Sequence, residues 1–181
     1  MKTFTSYTDL PSFSPDGYYF RLVPDKVWGY IQDVYSLLKL KEPIEDIGFD
    51  AVLYPLSDVH YLSNLIMDEL KPIHEEWCGE ELIPQNIYGV RSYRKGSKLP
   101  IHRDHIKTHH ISCIIMLEKD EEWRLELESH SRDIVRIDLN PGGMLMYESA
   151  KCRHARTIPF TGSYYNNFYV HYTLKNYEYI T

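Results

Sequence analysis

The hydrophobic periodicity of the chain changes near Pro84, and this change constrains the fold more than any other feature. Apolar residues recur every three to four positions over 24–41, which predicts an amphipathic helix. The same spacing over 57–78 predicts a second helix, capped by Ser57 or Asp58. The first half of the chain is therefore predicted to be largely helical.

After this point, short segments rich in Ile, Val, Tyr and Leu alternate with turn residues, and they predict seven short strands. The strands are predicted at 86–94, 99–102, 108–117, 123–128, 134–139, 144–147 and 164–173, and an earlier extended segment at 47–56. Seven short strands indicate a barrel or sandwich. The whole chain is then an α+β fold, with two N-terminal helices packed outside one sheet.

The length and charge of the chain limit what it can be. Its 181 residues fit one domain, and no Ser/Gly/Pro linker divides it, so we expect a single domain over 1–181. A net charge of −6 gives no basic field for nucleic acid or anionic lipid. The longest apolar run, at 111–117, is too short to span a membrane, and the first residues lack the apolar core of a signal peptide. We therefore expect a cytoplasmic protein with Cys78, Cys113 and Cys152 as free thiols.

One short segment, Leu99-Pro-Ile-His-Arg-Asp-His105, contains candidate metal ligands. Residues two apart in an extended strand project to the same face, so His102 and Asp104 can point into one cavity. His154 follows later, just before the predicted last strand. Two imidazoles and one carboxylate, with coordination positions left open, form the facial triad that holds non-haem Fe(II). The sequence therefore predicts His102, Asp104 and His154 as metal ligands.

Several motifs together resemble those of the Fe(II)/2-oxoglutarate-dependent dioxygenases, most closely their prolyl-4-hydroxylase-like branch. The resemblance covers about 86–173, half of the chain. The matching motifs are Tyr93-Arg-Lys-Gly96 followed by His102-Arg-Asp104, then Ile111-Ser-Cys-Ile-Ile-Met-Leu117, Asn140-Pro-Gly-Gly143 leading to Tyr147-Glu148, and His154 with Gly162 beyond it.

This resemblance implies a double-stranded β-helix, or jelly-roll, as a catalytic core over 85–175, with 1–84 as helical support. It also implies Fe(II), 2-oxoglutarate and O2 as cofactor and co-substrates. In such a reaction 2-oxoglutarate is converted to succinate and CO2 while a C–H bond of the substrate is hydroxylated, and no catalytic residue beyond the metal ligands is expected. The substrate it implies is a peptidyl residue, most plausibly proline, although a small molecule is also possible.

The chain departs from its relatives at the cation that holds the distal carboxylate of 2-oxoglutarate. In the prolyl-hydroxylase pattern a Lys or Arg lies nine or ten residues after the distal His, but Ser163 and Tyr164 occupy those positions. Arg156 is our first choice, because it lies two residues after His154 and shares its face if the strand continues.

Other residues are candidates for the same role. Arg91 and Tyr93 share a face of the strand before the metal-binding segment, and they are the second choice, with Tyr93 as a hydroxyl donor. Asn167 and His171 share a face of the last strand and can add donors. Tyr164 completes the set of residues predicted to bind 2-oxoglutarate.

Alternatives remain open at this stage. His105, His109 and His110 are either a polyhistidine metal site or loop residues on the substrate side. The Tyr-rich tail at 164–172 is either a stacking platform for bases or a half-buried strand. A cupin-like metalloenzyme and a non-catalytic jelly-roll binding module are the competing functions. The sequence fixes neither the substrate nor the oligomeric state.

Overall fold

A computed structural model describes residues 1–56 and 60–180, and it contains two helices, a short 3-10 turn and fourteen strands. The helices are α1 (Asp25–Leu38) and α2 (His60–Cys78), and the 3-10 turn is Ile47–Phe49. The strands are β1 (Lys2–Phe4), β2 (Tyr18–Leu22), β3 (Ile44–Asp46), β4 (Ala51–Pro55), β5 (Leu82–Asn86), β6 (Gly89–Tyr93), β7 (Leu99–His102), β8 (Ile111–Lys119), β9 (Leu125–Glu128), β10 (Ile134–Ile137), β11 (Gly143–Tyr147), β12 (His154–Arg156), β13 (Tyr165–Leu174) and β14 (Tyr177–Tyr179).

Most strands belong to one of two larger sheets. The major sheet has the order β2-β11-β8-β13-β6-β4-β3, and β5 pairs with the second half of β13. The minor sheet has the order β10-β9-β12-β7. β1 and β14 form a separate parallel pair. Because sequence neighbours are rarely sheet neighbours, the chain crosses repeatedly between the two sheets.

Strand β8 lies in the interior of the major sheet, between β11 and β13, and it shows how the two hydrophobic cores are divided. Ile114 and Met116 face a cluster that also contains Leu99 and Leu127 of the minor sheet. Cys113 and Ile115, on the opposite face, belong to the cluster that contains the helices. A strand with both faces buried in this way is a continuous apolar run, as the sequence shows. The space between the two sheets therefore forms one core, and the other core lies under the helices.

Both helices bury one apolar stripe against the major sheet. Val27, Ile31, Val34 and Leu38 of α1 are all buried, which is the spacing that predicts this helix. The helix begins after Pro24, whose φ of −57° suits a helix start, and it ends at Leu38, three residues before the predicted end. The predicted caps Ser57 and Asp58 of α2 lie outside the described residues.

The first half of the chain contains more strand than its periodicity predicts. The segment 1–84, expected to be helical support, also contributes β2, β3 and β4 to the major sheet. The predicted extended segment 47–56 begins with a 3-10 turn and becomes a strand only at Ala51. A left-handed Asp50, with φ of 51°, separates the two and lets the chain reverse direction. Residues 46–49 are thereby brought to the rim of the cavity described below.

The predicted strand 86–94 corresponds to β6, and it overlaps only the last residue of a separate strand, β5, which was not predicted. The two strands pair with different halves of β13. The chain changes direction at Gly89, whose φ of +143° is unfavourable for any other residue. A Cβ atom at this position would lie 2.0 Å from the carbonyl oxygen of Tyr54. In the part of the chain that the structure describes, neither helix combines the length and the apolar character needed to cross a membrane.

Candidate metal centre

His102, Asp104 and His154 come together through the pairing of two short strands. His102 is the last residue of β7 and His154 is the first residue of β12, and the antiparallel register places these two residues opposite each other. Asp104 follows β7, and its backbone N–H donates to the carbonyl oxygen of Ser149 at 2.9 Å. This bond fixes the loop so that one ligand atom from each of the three residues lies within 4.8 Å of the others.

Both imidazoles present an unprotonated Nε2 atom to the site. Nδ1 of His102 is 2.8 Å from the carbonyl oxygen of Pro100, and Nδ1 of His154 is 3.0 Å from that of Cys152. A carbonyl oxygen can only accept a hydrogen bond, so in each neutral ring the proton is on Nδ1. The two Nε2 atoms are 3.7 and 3.6 Å from Oδ1 of Asp104. Backbone carbonyls that fix the tautomer in this way are typical of metal-binding histidines.

The protonation states of the three residues suit a divalent metal. Burial lowers the pKa of His102, and the neighbouring His154 lowers it further, so the ring is neutral at pH 7. Burial alone would raise the pKa of Asp104. The neighbouring imidazoles of His154, His171 and His102 outweigh burial and hold this pKa well below its usual range. The site therefore offers the two Nε2 atoms of His102 and His154 and the carboxylate of Asp104 as metal ligands.

The three residues lie in the wall of an open cavity of about 650 Å³. Its inner part lies between the two sheets and is lined by Tyr93, Leu99, Ile114 and Tyr147. Its outer rim carries Asp46 and Phe49 from the 3-10 region, Tyr88 from the connection between β5 and β6, Arg91 from β6, and Arg103, His105, Thr108 and His109 from the loop after β7. A small molecule or an extended side chain can therefore reach the three residues from solvent.

Arg156 lies between the sheets, two residues beyond His154 on β12. Its side chain is 2% exposed, and its Cζ lies 4.5 Å from the ring centroid of Tyr165 and 4.7 Å from that of Trp123. Nη2 donates to the hydroxyl of Tyr165 at 3.1 Å, whereas Nε and Nη1 have no hydrogen-bond partner among the described residues. An unpaired guanidinium in an aromatic core is costly, so this arrangement is suited to an anionic ligand.

Arg91 and Tyr93 line the cavity, whereas Arg156 is buried and is not among the lining residues. Arg91 and Tyr93 each already have partners. Nε of Arg91 donates to Oδ2 of Asp46 at 2.7 Å, and its guanidinium carbon lies 3.9 Å from the ring centroid of Phe49. The hydroxyl of Tyr93 is 3.1 Å from that of Tyr169. Arg91 is thus paired with an acid near the rim, in contrast to Arg156.

Two other predicted residues lie outside the cavity wall. Asn167 is fully buried, and its Nδ2 donates to the hydroxyl of Tyr169 at 3.2 Å, so it reaches the site only through Tyr169. Tyr164 is 36% exposed and precedes β13, where its backbone N–H donates to Asp120. The prediction of Tyr164 as a 2-oxoglutarate ligand is therefore corrected, because β13 begins one residue later and Tyr165 takes the inward position.

The three neighbouring histidines have different surroundings. His105 and His109 line the cavity, on the loop that follows β7. His110 is buried against Phe4, and its Nε2 bonds to the carbonyl oxygen of Ile106 at 2.7 Å. Among the described residues, none of these three belongs to the group whose ligand atoms converge.

The sequence predicts His171 only as an additional donor to 2-oxoglutarate, and it does not identify Ser112 or Ser149. His171 lies on β13 beside Asp104, with Nδ1 at 3.8 Å from Oδ2 of that residue. Ser112 and Ser149 are fully buried next to it. Small hydroxyl residues within apolar strands carry no signal that separates such a role from ordinary packing.

No family model matches this sequence, and no curated protein matches it. Solved structures do match the fold at low sequence identity. An oxidoreductase of the 2OG-Fe(II) oxygenase family from Burkholderia pseudomallei has a TM-score of 0.69 and 12% identity, over 87% of this chain and 84% of that one. A prolyl-4-hydroxylase from Pseudomonas putida has a TM-score of 0.67 and 12% identity, over 89% and 94% of the two chains. HygX from Streptomyces hygroscopicus, solved with nickel, 2-oxoglutarate and hygromycin B bound, has a TM-score of 0.68 and 11% identity, over 92% and 86%.

These comparisons define the class of fold. The chain has the jelly-roll architecture of the 2OG-Fe(II) oxygenases, and the resemblance indicated by the sequence motifs is confirmed at the level of the fold. The identities are too low to transfer a substrate or a reaction, because one fold supports many activities.

Proposed function

We propose that this protein is an Fe(II)/2-oxoglutarate-dependent dioxygenase that hydroxylates a C–H bond of its substrate. The observation that carries the proposal is the convergence of His102, Asp104 and His154 within 4.8 Å at the wall of a jelly-roll cavity. Solved oxygenases with the same fold support it.

The residues present fit ferrous iron. Two neutral imidazoles and a carboxylate are the donor set of a facial-triad site, and backbone carbonyls already orient both rings. The iron, when bound, supplies the activation of O2 that the protein's own side chains cannot provide. His102, Asp104 and His154 hold the ion and leave open positions for other ligands. The set lacks the second carboxylate or third imidazole expected of a cupin-like site.

Arg156 is the residue that we propose for the distal carboxylate of 2-oxoglutarate. It lies beyond His154 in the interior between the sheets, and two of its nitrogen atoms are buried without a partner in the part of the chain that the structure describes. A guanidinium binds a carboxylate with two parallel hydrogen bonds, which would satisfy those donors. This buried cation also weighs against a non-catalytic module, because a protein without an anionic ligand gains nothing from the desolvation cost of Arg156.

Tyr93 and Arg91 complete the proposed co-substrate side of the cavity. Tyr93 is fully buried in the inner wall, where its hydroxyl can donate to a carboxylate oxygen. Arg91 is neutralised by Asp46 closer to solvent. We therefore assign Arg156 rather than Arg91 to 2-oxoglutarate. Asn167 supports Tyr169 and, through it, Tyr93.

For the primary substrate, we propose a peptidyl residue, with proline as the first choice, reached from the open rim of the cavity. The fold shared with a prolyl-4-hydroxylase supports this choice. The rim residues Tyr88 and Phe49 are aromatic and can contact an apolar ring. A free small molecule is the alternative, since the cavity is large enough for either.

The proposal is tested by supplying the purified protein with Fe(II), 2-oxoglutarate and O2 and measuring succinate. The same mixture is incubated with peptide libraries and small-molecule pools, and products with one added oxygen are sought by mass spectrometry. We expect succinate formation that is lost in Asp104→Ala and retained in the control Asp33→Ala, which changes an exposed aspartate on α1. Folded, iron-loaded protein that forms no succinate with any pool would contradict the proposal.

A further inference from the structure

Ser149, Ser112 and His171 form a buried chain of hydrogen bonds beside Asp104. Ser112 and Ser149 are fully buried, and His171 is 6% exposed. Oγ of Ser149 is 2.8 Å from the carbonyl oxygen of His109 and 2.6 Å from Oγ of Ser112. Oγ of Ser112 is in turn 2.7 Å from Nδ1 of His171. Three short contacts thus link a backbone carbonyl to an imidazole.

The number of hydrogens available fixes the direction of this chain. A carbonyl oxygen only accepts, so the single hydroxyl hydrogen of Ser149 goes to His109. Ser149 must then accept from Ser112, which uses the only hydrogen of Ser112. The contact between Ser112 and His171 therefore requires a hydrogen on Nδ1 of His171. Any other assignment leaves two electronegative atoms at 2.8 Å or less without a hydrogen between them.

A second contact favours the same tautomer. Oδ2 of Asp104 is 3.8 Å from Nδ1 of His171 and 3.4 Å from Oγ of Ser112. A carboxylate stabilises an N–H group directed toward it and repels a nitrogen lone pair. Both Ser112 and Asp104 therefore place the ring hydrogen on Nδ1, and Nε2 keeps its lone pair.

Nε2 of His171 is available to a ligand. His171 lines the cavity that contains the metal-binding residues. Within the described residues this atom has no hydrogen-bond partner, yet it is not among the polar atoms that are buried without one. It therefore retains contact with the open space of the cavity. The ring is held from behind by His109, with centroids 4.0 Å apart, and flanked by Tyr88 at 5.8 Å.

We propose that His171 is a specificity-determining residue whose Nε2 accepts a hydrogen bond from an N–H or O–H group of the primary substrate. This inference rests on the proposed function and deepens it. Both carboxylates of 2-oxoglutarate are acceptors only, so a fixed acceptor cannot serve the co-substrate. The substrate class that fits is one with a donor near the oxidised carbon: a peptide segment with its backbone N–H, an amine or an alcohol. A site built around such a bond rejects an analogue that lacks the donor.

The first experiment measures the tautomer and the acceptor directly, without turnover. Protein labelled with 15N at histidine is loaded with Zn(II) and 2-oxoglutarate, and its imidazole nitrogens are observed by long-range 1H–15N NMR. The resonances of His171 are assigned by their loss in His171→Gln, or in His171→Phe if the first variant does not fold. We expect Nδ1 protonated and Nε2 unprotonated.

The probes are N-methylacetamide, which has one N–H donor, and N,N-dimethylacetamide, which has none. We expect the first to shift the Nε2 resonance of His171 in a saturable manner and the second to leave it unchanged. A protonated Nε2, or equal shifts with both amides, would overturn the proposal. Succinate formation by the same protein loaded with Fe(II) tests the proposed oxygenase function separately. Failure of the oxygenase proposal can therefore be distinguished from failure of the proposed role of His171.

A kinetic comparison follows for any substrate found by the product search. His171→Gln places an amide oxygen near the position of Nε2, whereas His171→Asn retains only a donor toward Ser112. We expect His171→Asn to raise the KM for the primary substrate by about tenfold. The KM for 2-oxoglutarate should be unchanged, and His171→Gln should restore most of the loss. A merely structural role would affect both substrates alike and would contradict the proposal.

Discussion

His154 lies opposite His102 in the antiparallel pairing of β12 with β7, and the centroids of the two rings are 4.2 Å apart. The pairing is short, because β12 has three residues and its register shifts between His154 and Arg156. Two distant parts of the chain are thereby joined at one point. The irregularity falls just beyond the candidate metal ligand His154, where β12 turns Arg156 into the interior.

Iron binding should weaken as the pH falls. The histidine ligands bind only when deprotonated, and burial together with the neighbouring His154 lowers the pKa of His102, so the site is ready for metal at pH 7. As the pH falls, protons compete for the Nε2 atoms and iron is released. We expect full occupancy at pH 7 and loss below about pH 6, measured by metal analysis after gel filtration. Unchanged occupancy at pH 5 in folded protein would contradict this.

Arg156→Met should weaken the binding of 2-oxoglutarate without destabilising the protein. The variant removes a buried cation that has no acidic partner among the described residues, so we expect the free energy of unfolding without ligand to be unchanged or to rise by about 1–3 kcal/mol. The KM for 2-oxoglutarate should rise by about a hundredfold, because a charge-assisted bidentate contact is lost. Thermal unfolding and steady-state kinetics measure the two effects.

The exposed Arg124→Met is the matched control and should change neither quantity. Arg156→Met with a normal KM for 2-oxoglutarate would show that another cation binds the distal carboxylate.

His74 should make the protein sensitive to acid. It is fully buried in α2 against the ring of Tyr172, and burial lowers its pKa to about 4, from an ordinary value near 6.5. Between these two values the unfolded chain binds a proton that the folded chain does not, so stability rises with pH across this window and falls as pH decreases. We expect His74 to make the free energy of unfolding about 3 kcal/mol lower at pH 4 than at pH 7.

His74→Phe should flatten the dependence of the unfolding free energy on pH between about 6.5 and 4. It should also lower this free energy by about 1 kcal/mol at every pH, because the hydrogen bond from His74 to the carbonyl oxygen of Leu70 is lost. Urea unfolding at several pH values measures it. The exposed His105→Asn should keep the wild-type slope. A slope equal to wild type in His74→Phe would refute this assignment.

Glu148 anchors the N-terminal segment to the loop that precedes the distal histidine. It is fully buried, and Oε1 accepts from the backbone N–H groups of Phe13 and Ser14, from the hydroxyl of Ser14 and from Nε2 of His130. Glu148→Ala leaves these donors unsatisfied, so we expect a loss of about 3 kcal/mol in stability and faster amide exchange at 13–17. Hydrogen-exchange mass spectrometry and thermal unfolding measure both.

The exposed Glu122→Ala provides the comparison and should leave exchange and stability near wild type. Exchange at 13–17 that is the same in Glu148→Ala as in wild type would show that other contacts hold this segment.

The sequence predicts the parts of this fold that follow a regular period. The strand β7 occurs as predicted, and the apolar run of β8 predicts a strand with both faces buried. The strands β2 and β1 are not predicted, because each is short and pairs with distant residues, β11 and β14. Nothing local distinguishes such segments from loops.

The residues of the candidate site also differ in whether the sequence alone can predict them. His102 and Asp104 are two residues apart in one extended segment, so their spacing predicts that they share a face. The same spacing of two from His154 predicts Arg156 on the inward face, although the strand register shifts between these two residues. Tyr164 precedes β13, which begins at Tyr165, and the sequence does not reveal where this strand starts. The chain of Ser149, Ser112 and His171 required coordinates, since it joins three strands and loops that only the tertiary structure brings together.

Anaerobic titration of the purified protein with Fe(II) and 2-oxoglutarate tests the central claim most directly. The account predicts a weak visible charge-transfer band of the iron chelate, saturating at one equivalent of Fe(II), present in wild type and Asp33→Ala and absent in Asp104→Ala. Folded wild-type protein that binds Fe(II) and 2-oxoglutarate without developing this band, or that binds neither, would contradict it.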